Sequence, residues 1–274
     1  MKKISMVSKT WSFSRYVAFK NCPKSLWLGE NSKFQTRNLI PLYSLIGTSV
    51  HKAISFWIDK WSRGVEVTNK EAKKVGIVYI REVWKDRDQV ITEFFNGTQT
   101  DDPLGSKIES SYNTLIDNFF LYIWPTFVNE KYVTHEKLFE LPHKDYRILL
   151  KPDLITKNSS GSFTITDWKS SMTHNDSLES FQVLTYGFWA TRFYKMKPDQ
   201  IKLQVVNLRT GRIMKDNFSE AKLKETVDKI EVQMEELNKI YQNKLLEAKP
   251  EINKCQRCNH LQSCDEGQRK LAGI

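Results

Sequence analysis

The sequence predicts an α/β fold in which a layer of strands is interrupted by a helical insertion. Three observations indicate it: apolar residues at helical spacing in the first half, turn-separated β-like segments in the middle, and a return to helix, strand and charged helix. The chain has 274 residues, 40% of them apolar, including 8 Trp and 15 Phe. This composition can build a large core and argues against long disorder. We predict one domain over residues 1–274.

Helices are predicted in the first half of the chain. After Gly47, apolar residues recur at helical spacing, namely Val50, Ile54, Trp57, Ile58 and Trp61. His51 therefore lies early on an amphipathic helix. Two further apolar stripes between about residues 70 and 128 contain Val75, Val78, Ile80, Val83 and Trp84, and then Leu115, Ile116, Phe119 and Phe120. We interpret residues 62–130 as a helical insertion, with a loop from Asn96 to Ser106.

Three β-like segments follow the insertion. They are Val133–Leu141, Tyr146–Ile155 and Phe163–Lys169, separated by the turn-forming runs Pro142–Asp145 and Asn158–Gly161. Antiparallel hairpins are the expected result.

The last third returns to helices around one strand. We predict a helix from about Leu178 to Tyr194 and a strand from Ile201 to Leu208 that ends at Thr210-Gly211. A charged helix, Ser219–Leu246, is stopped by Pro250, just before a cysteine group in residues 250–265.

The net charge and the N-terminal sequence limit the classes of function that we consider. The chain has 42 Lys and Arg residues and 32 Asp and Glu residues, so its net charge is +10, and its pI is near 9.3. This favours a polyanionic partner such as nucleic acid, although a merely basic soluble protein is the alternative. No apolar signal sequence follows Met1, and the apolar stretch Phe119–Val128 is too short to cross a bilayer. We expect a cytoplasmic protein, whose four reduced cysteines are better explained as metal ligands than as disulfides.

Two carboxylates and a lysine are expected to converge. Alternation along Phe163–Lys169 puts Asp167 and Lys169 on one side of the strand. Asp153 ends the preceding strand, so a hairpin would bring it beside Asp167. Paired carboxylates suit Mg²⁺ or Mn²⁺, an ion that can activate water at a phosphate while Lys169 steadies charge. An isolated Asp-x-Lys, however, is more often an ordinary ion pair at a strand end.

His51, Gln182 and Tyr186 complete a pattern in chain order. Gln182 and Tyr186 are four residues apart on the predicted helix and share a face. Alone, each of these residues is more often structural. Their order is Gly-x3-His, Pro-Asp, Asp-x-Lys and Gln-x3-Tyr. From about residue 12 to 265, the chain resembles the RecB-like branch of the PD-(D/E)XK nuclease superfamily.

The resemblance implies a fold and residue roles. The fold would be a restriction-endonuclease-like core, with a mixed central sheet flanked by helices. His51, Asp153 and Asp167 would bind the catalytic Mg²⁺ or Mn²⁺, and Lys169 would be the catalytic lysine. Gln182 and Tyr186 would flank the active site and contact DNA. Glu136 resembles the acidic residue of the first core strand, in a supporting role. Lys151-Pro152 departs from the glycine turn of many relatives.

Four cysteines form a second pattern. Cys22, followed by Pro23, is distant from Cys255, Cys258 and Cys264, which are spaced C-x2-C-x5-C. A zinc ribbon has two local C-x2-C knuckles, whereas four thiolates can also hold an iron–sulfur cluster. The pattern is similar to that of AddB-type nucleases and the CRISPR-associated RecB-like exonucleases, which implies a [4Fe–4S] clasp. Structural Zn²⁺ is the alternative.

The resemblance implies a DNA nuclease, exonucleolytic and selective for single strands or frayed ends, in DNA repair or CRISPR spacer acquisition. No G-x4-G-K-[ST] motif is present, so a helicase would be a separate chain, as would a CRISPR integrase. One alternative is a nucleic-acid-binding scaffold with a decayed site and a structural metal. Another is a complex subunit that cuts only with its partner. We expect Trp168 and Trp27 to pack in the core, with base stacking as the alternative role.

Overall fold

The computed structural model describes residues 9–31, 33–34, 36–85, 90–91, 103–170, 181–243 and 246–273. The strands are β1 (Thr10–Trp11), β2 (Ile40–Pro41), β3 (Val90–Ile91), β4 (Lys131–His135), β5 (Phe139–His143), β6 (Tyr146–Leu150), β7 (Leu154–Lys157), β8 (Phe163–Lys169), β9 (Ile201–Asn207) and β10 (Arg212–Asn217). The α-helices are α1 (Phe13–Asn21), α2 (Pro23–Glu30), α3 (Leu42–Ser62), α4 (Asn69–Trp84), α5 (Pro103–Asn118), α6 (Phe181–Phe193), α7 (Glu220–Asn243), α8 (Ile252–Gln256) and α9 (Asp265–Ala272).

The chain divides into two compact units. The sheet unit comprises residues 40–137 and 152–220, and the cysteine unit comprises residues 1–39, 138–151 and 221–274. The single domain expected over residues 1–274 stays a prediction. Among the described residues, no helix combines the length and the apolar character that crossing a bilayer requires.

A mixed five-stranded sheet organises the sheet unit. Its strand order is β10-β9-β8-β7-β4, and only the β8–β9 pair is parallel. The first six residues of β8 are buried, as expected for a central strand covered on both faces. The predicted α/β class with a mixed sheet and flanking helices is confirmed.

Helices cover both faces of this sheet. On one face, Trp168 packs edge-on against Phe119 and Phe127, with ring centroids 5.7 Å apart in each case. On the other face, α6 packs against β8 and β9. Gly187 of α6 also lies close to the buried Phe218, since an added Cβ would be 2.9 Å from Phe218 Cδ2 and the ring would have to shift.

The predicted insertion contains helices α4 and α5. Thr68 begins α4 with a capping box, since its side chain accepts from the Glu71 N–H while Glu71 accepts from the Thr68 N–H. After α5 the chain continues as a π-helical turn, Phe119–Ile123, and a 3₁₀ turn, Trp124–Phe127. Pro125, which lacks an N–H, lies where the tighter turn begins. These helices and α3 bury one apolar core with the sheet.

The cysteine unit has a smaller sheet of order β1-β6-β5. Strand β5 is at its edge, which accommodates Pro142 because an edge strand need not donate every N–H. Trp11 of β1 is buried, and its Nε1–H donates to Gln233 Oε1 of α7 at 3.2 Å.

Two predicted strands were wrong in extent, because each is broken in the structure. The segment Val133–Leu141 is interrupted at Glu136, whose φ of 47° is left-handed and cannot continue a strand. The segment Tyr146–Ile155 is interrupted by Lys151, Pro152 and Asp153. Asp153 was predicted to end a strand, but in the structure it lies just before β7.

Other boundaries also differ from the sequence predictions. The expected loop ending at Ser106 was wrong at its end, since α5 begins at Pro103; residues 92–102 lie outside the described part of the chain. The start of the predicted helix Leu178–Tyr194 also lies outside it, and α6 is described from Phe181. Strands β1 and β10 were not predicted.

Candidate active site

Three segments of the sheet unit bring a histidine and two carboxylates together. His51 lies on α3, Glu136 follows β4 and Asp153 precedes β7. The left-handed Glu136 directs its N–H toward two carbonyl oxygens, Pro152 O at 3.1 Å and Asp153 O at 3.3 Å. This bridge ties the two strand ends together at the point where both carboxylates stand.

The distances within this group suit a small cation. His51 Nδ1 lies 3.0 Å from Glu136 Oε1 and 3.4 Å from Asp153 Oδ1. Ligand atoms of the three residues all lie within 4.8 Å of one another, so the group can bind a divalent metal ion. The other Asp153 oxygen, Oδ2, accepts the Trp168 N–H at 2.7 Å, which fixes the carboxylate.

Asp167 and Lys169 extend the group along β8. The register pairs Leu154 with Thr166, so Asp153 stands next to Asp167. The Asp167 side chain is only 3% exposed, and its Oδ2 lies 2.6 Å from Lys169 Nζ. Burial and the charge of Asp153 raise the pKa of Asp167 to about 6, although Lys169 and His51 oppose that shift.

His51 carries a proton in the metal-free site. Burial lowers the pKa of His51, but the charges and hydrogen bonds of Asp153 and Glu136 outweigh burial and raise it to about 10. The imidazolium therefore balances Glu136 and Asp153, while the Lys169 ammonium pairs with Asp167. A metal ion that used the same nitrogen as a ligand would have to displace this proton.

Lys169 is oriented by a chain of hydrogen bonds to α6. Lys169 Nζ donates to Gln182 Oε1 at 2.9 Å, and Gln182 Nε2 donates to the Tyr186 hydroxyl at 2.7 Å. Tyr186 is buried, and burial together with Asp167 and Asp153 raises its pKa well above the usual value. The predicted shared helix face of Gln182 and Tyr186 is confirmed, and Tyr186 contacts Gln182 from inside the protein.

The structure brings together every site residue that the sequence predicted in this unit, and it adds Glu136 as a candidate ligand. The family resemblance implied a supporting role for Glu136, whereas Glu136, His51 and Asp153 form the close group, with Asp167 beside it. The available signal was an acidic residue, Glu136, inside the β-like segment Val133–Leu141. Trp168 is 3% exposed and packs in the core, as expected. Trp27 is partly buried and packs on Phe34, with ring centroids 5.1 Å apart.

The four cysteines all lie in the cysteine unit. Cys22 joins α1 to α2, with Pro23 in the first turn of α2, and Cys264 is the N-cap of α9. Burial raises the pKa of the Cys255 thiol, and the nearby Cys258 and Cys22 raise it further. Cys258 Sγ accepts the His260 N–H at 3.4 Å and lies 3.5 Å from Ser25 Oγ.

Arg37 makes hydrogen bonds to the backbone around Cys258. Its Nη2 donates to Cys258 O at 2.6 Å and to Gln256 O at 3.1 Å. The Arg37 N–H donates to Asn259 O at 2.7 Å. Gly267 of α9 lies close to Leu261 and to two thiols, since an added Cβ would be 3.1 Å from Leu261 Cδ1, 3.4 Å from Cys264 Sγ and 3.6 Å from Cys255 Sγ.

The spacing of the thiols bears on which metal centre fits. Among the described His, Cys, Asp and Glu side chains, the group of three with all ligand atoms within 4.8 Å is His51, Glu136 and Asp153. No three cysteine sulfurs are therefore that close together. Tetrahedral zinc, with Zn–S bonds of about 2.3 Å, would place its sulfurs about 3.8 Å apart. The chemistry of four thiols suits either a tetrahedral zinc ion or an iron–sulfur cluster.

Comparison with known proteins identifies a family. Residues 10–265 match the sequence profile of the PD-(D/E)XK nuclease superfamily. A solved structure from Eubacterium rectale, described as a candidate exonuclease, is similar over 96% of this chain and 88% of its own, with TM-score 0.50 and 12% identity. The structure of SSO0001 overlaps 89% of this chain and 95% of its own at TM-score 0.32 and 14% identity, too low to support an argument. No protein of curated function matches the sequence.

Proposed function

We propose that this chain, which belongs to the PD-(D/E)XK nuclease superfamily, binds Mg²⁺ or Mn²⁺ at His51, Glu136, Asp153 and Asp167 and hydrolyses DNA. The observation that carries this proposal is the convergence of the close His51–Glu136–Asp153 group with the Asp167–Lys169 pair on one sheet edge. Both a hydrolytic nuclease and a divalent metal are typical of the superfamily.

The side chains of the site divide into metal ligands and positioning groups. A divalent cation bound here would supply an activated water and neutralise charge on the phosphate. Lys169, about one third exposed, can hold a phosphate oxygen while Gln182 fixes its ammonium in place. Tyr186 supports Gln182 from the buried side, so we assign it a positioning role.

We propose single-stranded or frayed DNA ends as the substrate. The net charge of +10 suits a polyanion, and the residue pattern resembles that of RecB-like nucleases. A helicase or a CRISPR integrase, if one takes part, would be a separate chain. DNA repair and CRISPR spacer acquisition are the two pathways that suit this activity.

We also propose that Cys22, Cys255, Cys258 and Cys264 hold a [4Fe–4S] cluster. The support is the set of four thiols in one compact unit and their C-x2-C-x5-C spacing in the sequence. Zinc is the alternative. Protein purified without oxygen should be brown and contain about four irons per chain. One zinc and no colour would establish a zinc clasp and leave the nuclease proposal standing.

The nuclease proposal is tested by hydrolysis of a labelled single-stranded oligonucleotide with Mg²⁺ or Mn²⁺. Wild type should degrade it, and Asp167→Ala or Lys169→Ala should lower the rate at least about a hundredfold. Asp199→Ala, at an exposed position of the same unit, is the matched control and should retain activity. Equal rates for wild type and Asp167→Ala would refute the assigned site. Binding without cleavage by wild type would instead indicate a nucleic-acid-binding scaffold.

A further inference from the structure

The loop between β9 and β10, Asn207–Gly211, lies beside the candidate active site in the sheet unit. Strands β8 and β9 are parallel, and Lys169 is in register with Asn207. The Leu208 N–H donates to Lys169 O at 2.9 Å. Because the carboxyl ends of parallel strands meet at one edge of a sheet, this β9–β10 loop starts one strand, about 4.8 Å, away from the catalytic lysine.

The β9–β10 loop is held in one conformation by two asparagines. Asn207 Oδ1 accepts the N–H groups of Arg209 and Thr210 at 2.9 and 3.1 Å. From α5, Asn118 Nδ2 donates to Leu208 O at 2.9 Å and to Arg209 O at 2.8 Å. These bonds pre-organise the backbone from which the Arg209 side chain starts.

Arg209 carries a charge that the described part of the chain does not neutralise. Its Nε is shielded from solvent and has no hydrogen-bond partner, and none of the described ion pairs includes this guanidinium. The residue as a whole stays partly exposed, so an anion can reach it. A planar guanidinium is suited to phosphate oxygens, and covering Nε limits how far the group can rotate.

An exposed aromatic ring accompanies this charge. Tyr122 is 59% exposed although it belongs to the otherwise apolar π-helical turn. It lies against the end of the β9–β10 loop, where a Cβ on Gly211 would be 3.0 Å from Tyr122 Cδ2. Gly211 has φ +69°, so glycine is favoured there by its backbone as well as by this contact. Aromatic rings beside cationic groups are the usual contacts for single-stranded nucleic acid.

We infer that Arg209 and Tyr122 bind the substrate strand next to the scissile phosphodiester, Arg209 taking a phosphate and Tyr122 stacking on a base. The inference rests on the proposed nuclease function and adds a specific contact for single-stranded DNA. It also gives a reason for the two asparagine clamps, since a phosphate contact beside Lys169 has to be held in register with the metal site.

The test measures how tightly the full-length protein binds a fluorescein-labelled oligo(dT) in EDTA. Binding is measured by fluorescence anisotropy at several KCl concentrations. Each phosphate contact contributes about 0.7 to the slope of log K against log salt for single strands. Arg209→Gln should reduce the slope by about 0.7 and weaken binding, whereas Arg209→Lys should retain the slope. Tyr122→Ala should weaken binding about tenfold with no change in slope, because stacking releases no counterions.

Arg212→Gln is the matched control, since Arg212 is exposed at the start of β10, one residue after Gly211. It should change neither slope nor affinity beyond the general effect of one charge. With Mg²⁺, Arg209→Gln should lower kcat/KM for the oligonucleotide about tenfold. It should leave hydrolysis of bis(p-nitrophenyl) phosphate, which has one phosphodiester and no base, unchanged. Melting temperatures check that each variant is folded.

The outcomes separate this inference from the nuclease proposal. If Arg209→Gln and Arg212→Gln change the salt slope equally, or if Arg209→Gln and Tyr122→Ala bind and cleave the oligonucleotide like wild type, the inference is overturned while the nuclease proposal stands. If wild type neither binds nor cleaves DNA, both are overturned.

Discussion

Metal binding should release a proton from His51. In the metal-free site, Asp153 and Glu136 raise the pKa of His51 to about 10, so the imidazole is protonated at pH 7.5. A divalent ion that takes the same nitrogen as a ligand needs the neutral ring. We therefore expect Mn²⁺ to displace about one proton per site at pH 7.5.

The size of this effect follows from the pKa. Deprotonating a group with a pKa of about 10 at pH 7.5 costs about 3 kcal/mol, at 1.36 kcal/mol for each unit. The apparent affinity for Mn²⁺ should thus rise about tenfold for each pH unit up to pH 10. Near pH 5 a second proton should be released, because burial and Asp153 raise the pKa of Asp167 to about 6.

The stability of the metal-free protein should change with pH in the opposite direction. The folded pKa of His51 lies above the unfolded value of 6.5. Its contribution to stability is therefore complete below pH 6.5 and lost as the pH rises through about 10. Raising the pH should therefore strengthen metal binding and weaken the metal-free fold. Because both effects come from the same His51 proton, each measurement checks the other.

Calorimetric titration with Mn²⁺ in two buffers of different ionisation enthalpy counts the protons. His51→Asn should release about one proton fewer at pH 7.5. His143→Asn is the matched control, because His143 also pairs with a carboxylate, Glu231 at 3.0 Å, but lies in the cysteine unit. The same binding enthalpy in both buffers for wild type would refute the assignment of His51 as a ligand.

Three further outcomes test other parts of the structure. Gly76→Ala should destabilise the sheet unit by about 1–3 kcal/mol in urea unfolding, because its Cβ would overlap the buried Tyr112 ring, and full stability would show that α4 and α5 pack differently. Tyr186→Phe should lower kcat about tenfold with little change in KM if Tyr186 positions Lys169 through Gln182; a rise in KM alone would instead support a DNA contact. Cys258→Ser should lower the iron bound per chain, because it removes one of the four proposed thiolate ligands, and undiminished iron would contradict a four-cysteine cluster.

The parts of the site that depend on simple periodicity could be predicted from the sequence. Asp167 and Lys169 share a strand face, and Gln182 and Tyr186 share a helix face; both pairs are in contact in the structure. The hairpin that brings Asp153 to Asp167 followed from the turn at Asn158–Gly161.

The role of Glu136 could not be predicted in the same way. Its side chain reaches His51 because its backbone is left-handed and bridges to Pro152 and Asp153, a conformation that local propensity does not favour for glutamate. Likewise β1 has two residues and pairs with β6, far along the chain. Strand β10 pairs with the adjacent β9, but it is a mainly polar strand at the sheet edge and has few of the apolar and β-branched residues that usually mark a strand. The clamps on Arg209 also link α5 to a distant loop and leave no pattern in the sequence.

The division of the chain has a consequence for its synthesis. The sheet unit is complete in sequence at residue 220, whereas the cysteine unit needs residues from 1–39, 138–151 and 221–274. Glu136 and Asp153 stand on either side of the 138–151 segment, so both candidate ligands leave the ribosome well before Cys255. A nascent chain therefore exposes every residue of the sheet unit before Cys255, Cys258 and Cys264 leave the ribosome. The candidate ligands of the sheet unit can come together first, and a metal centre at the four cysteines, if one forms, can be completed only afterwards.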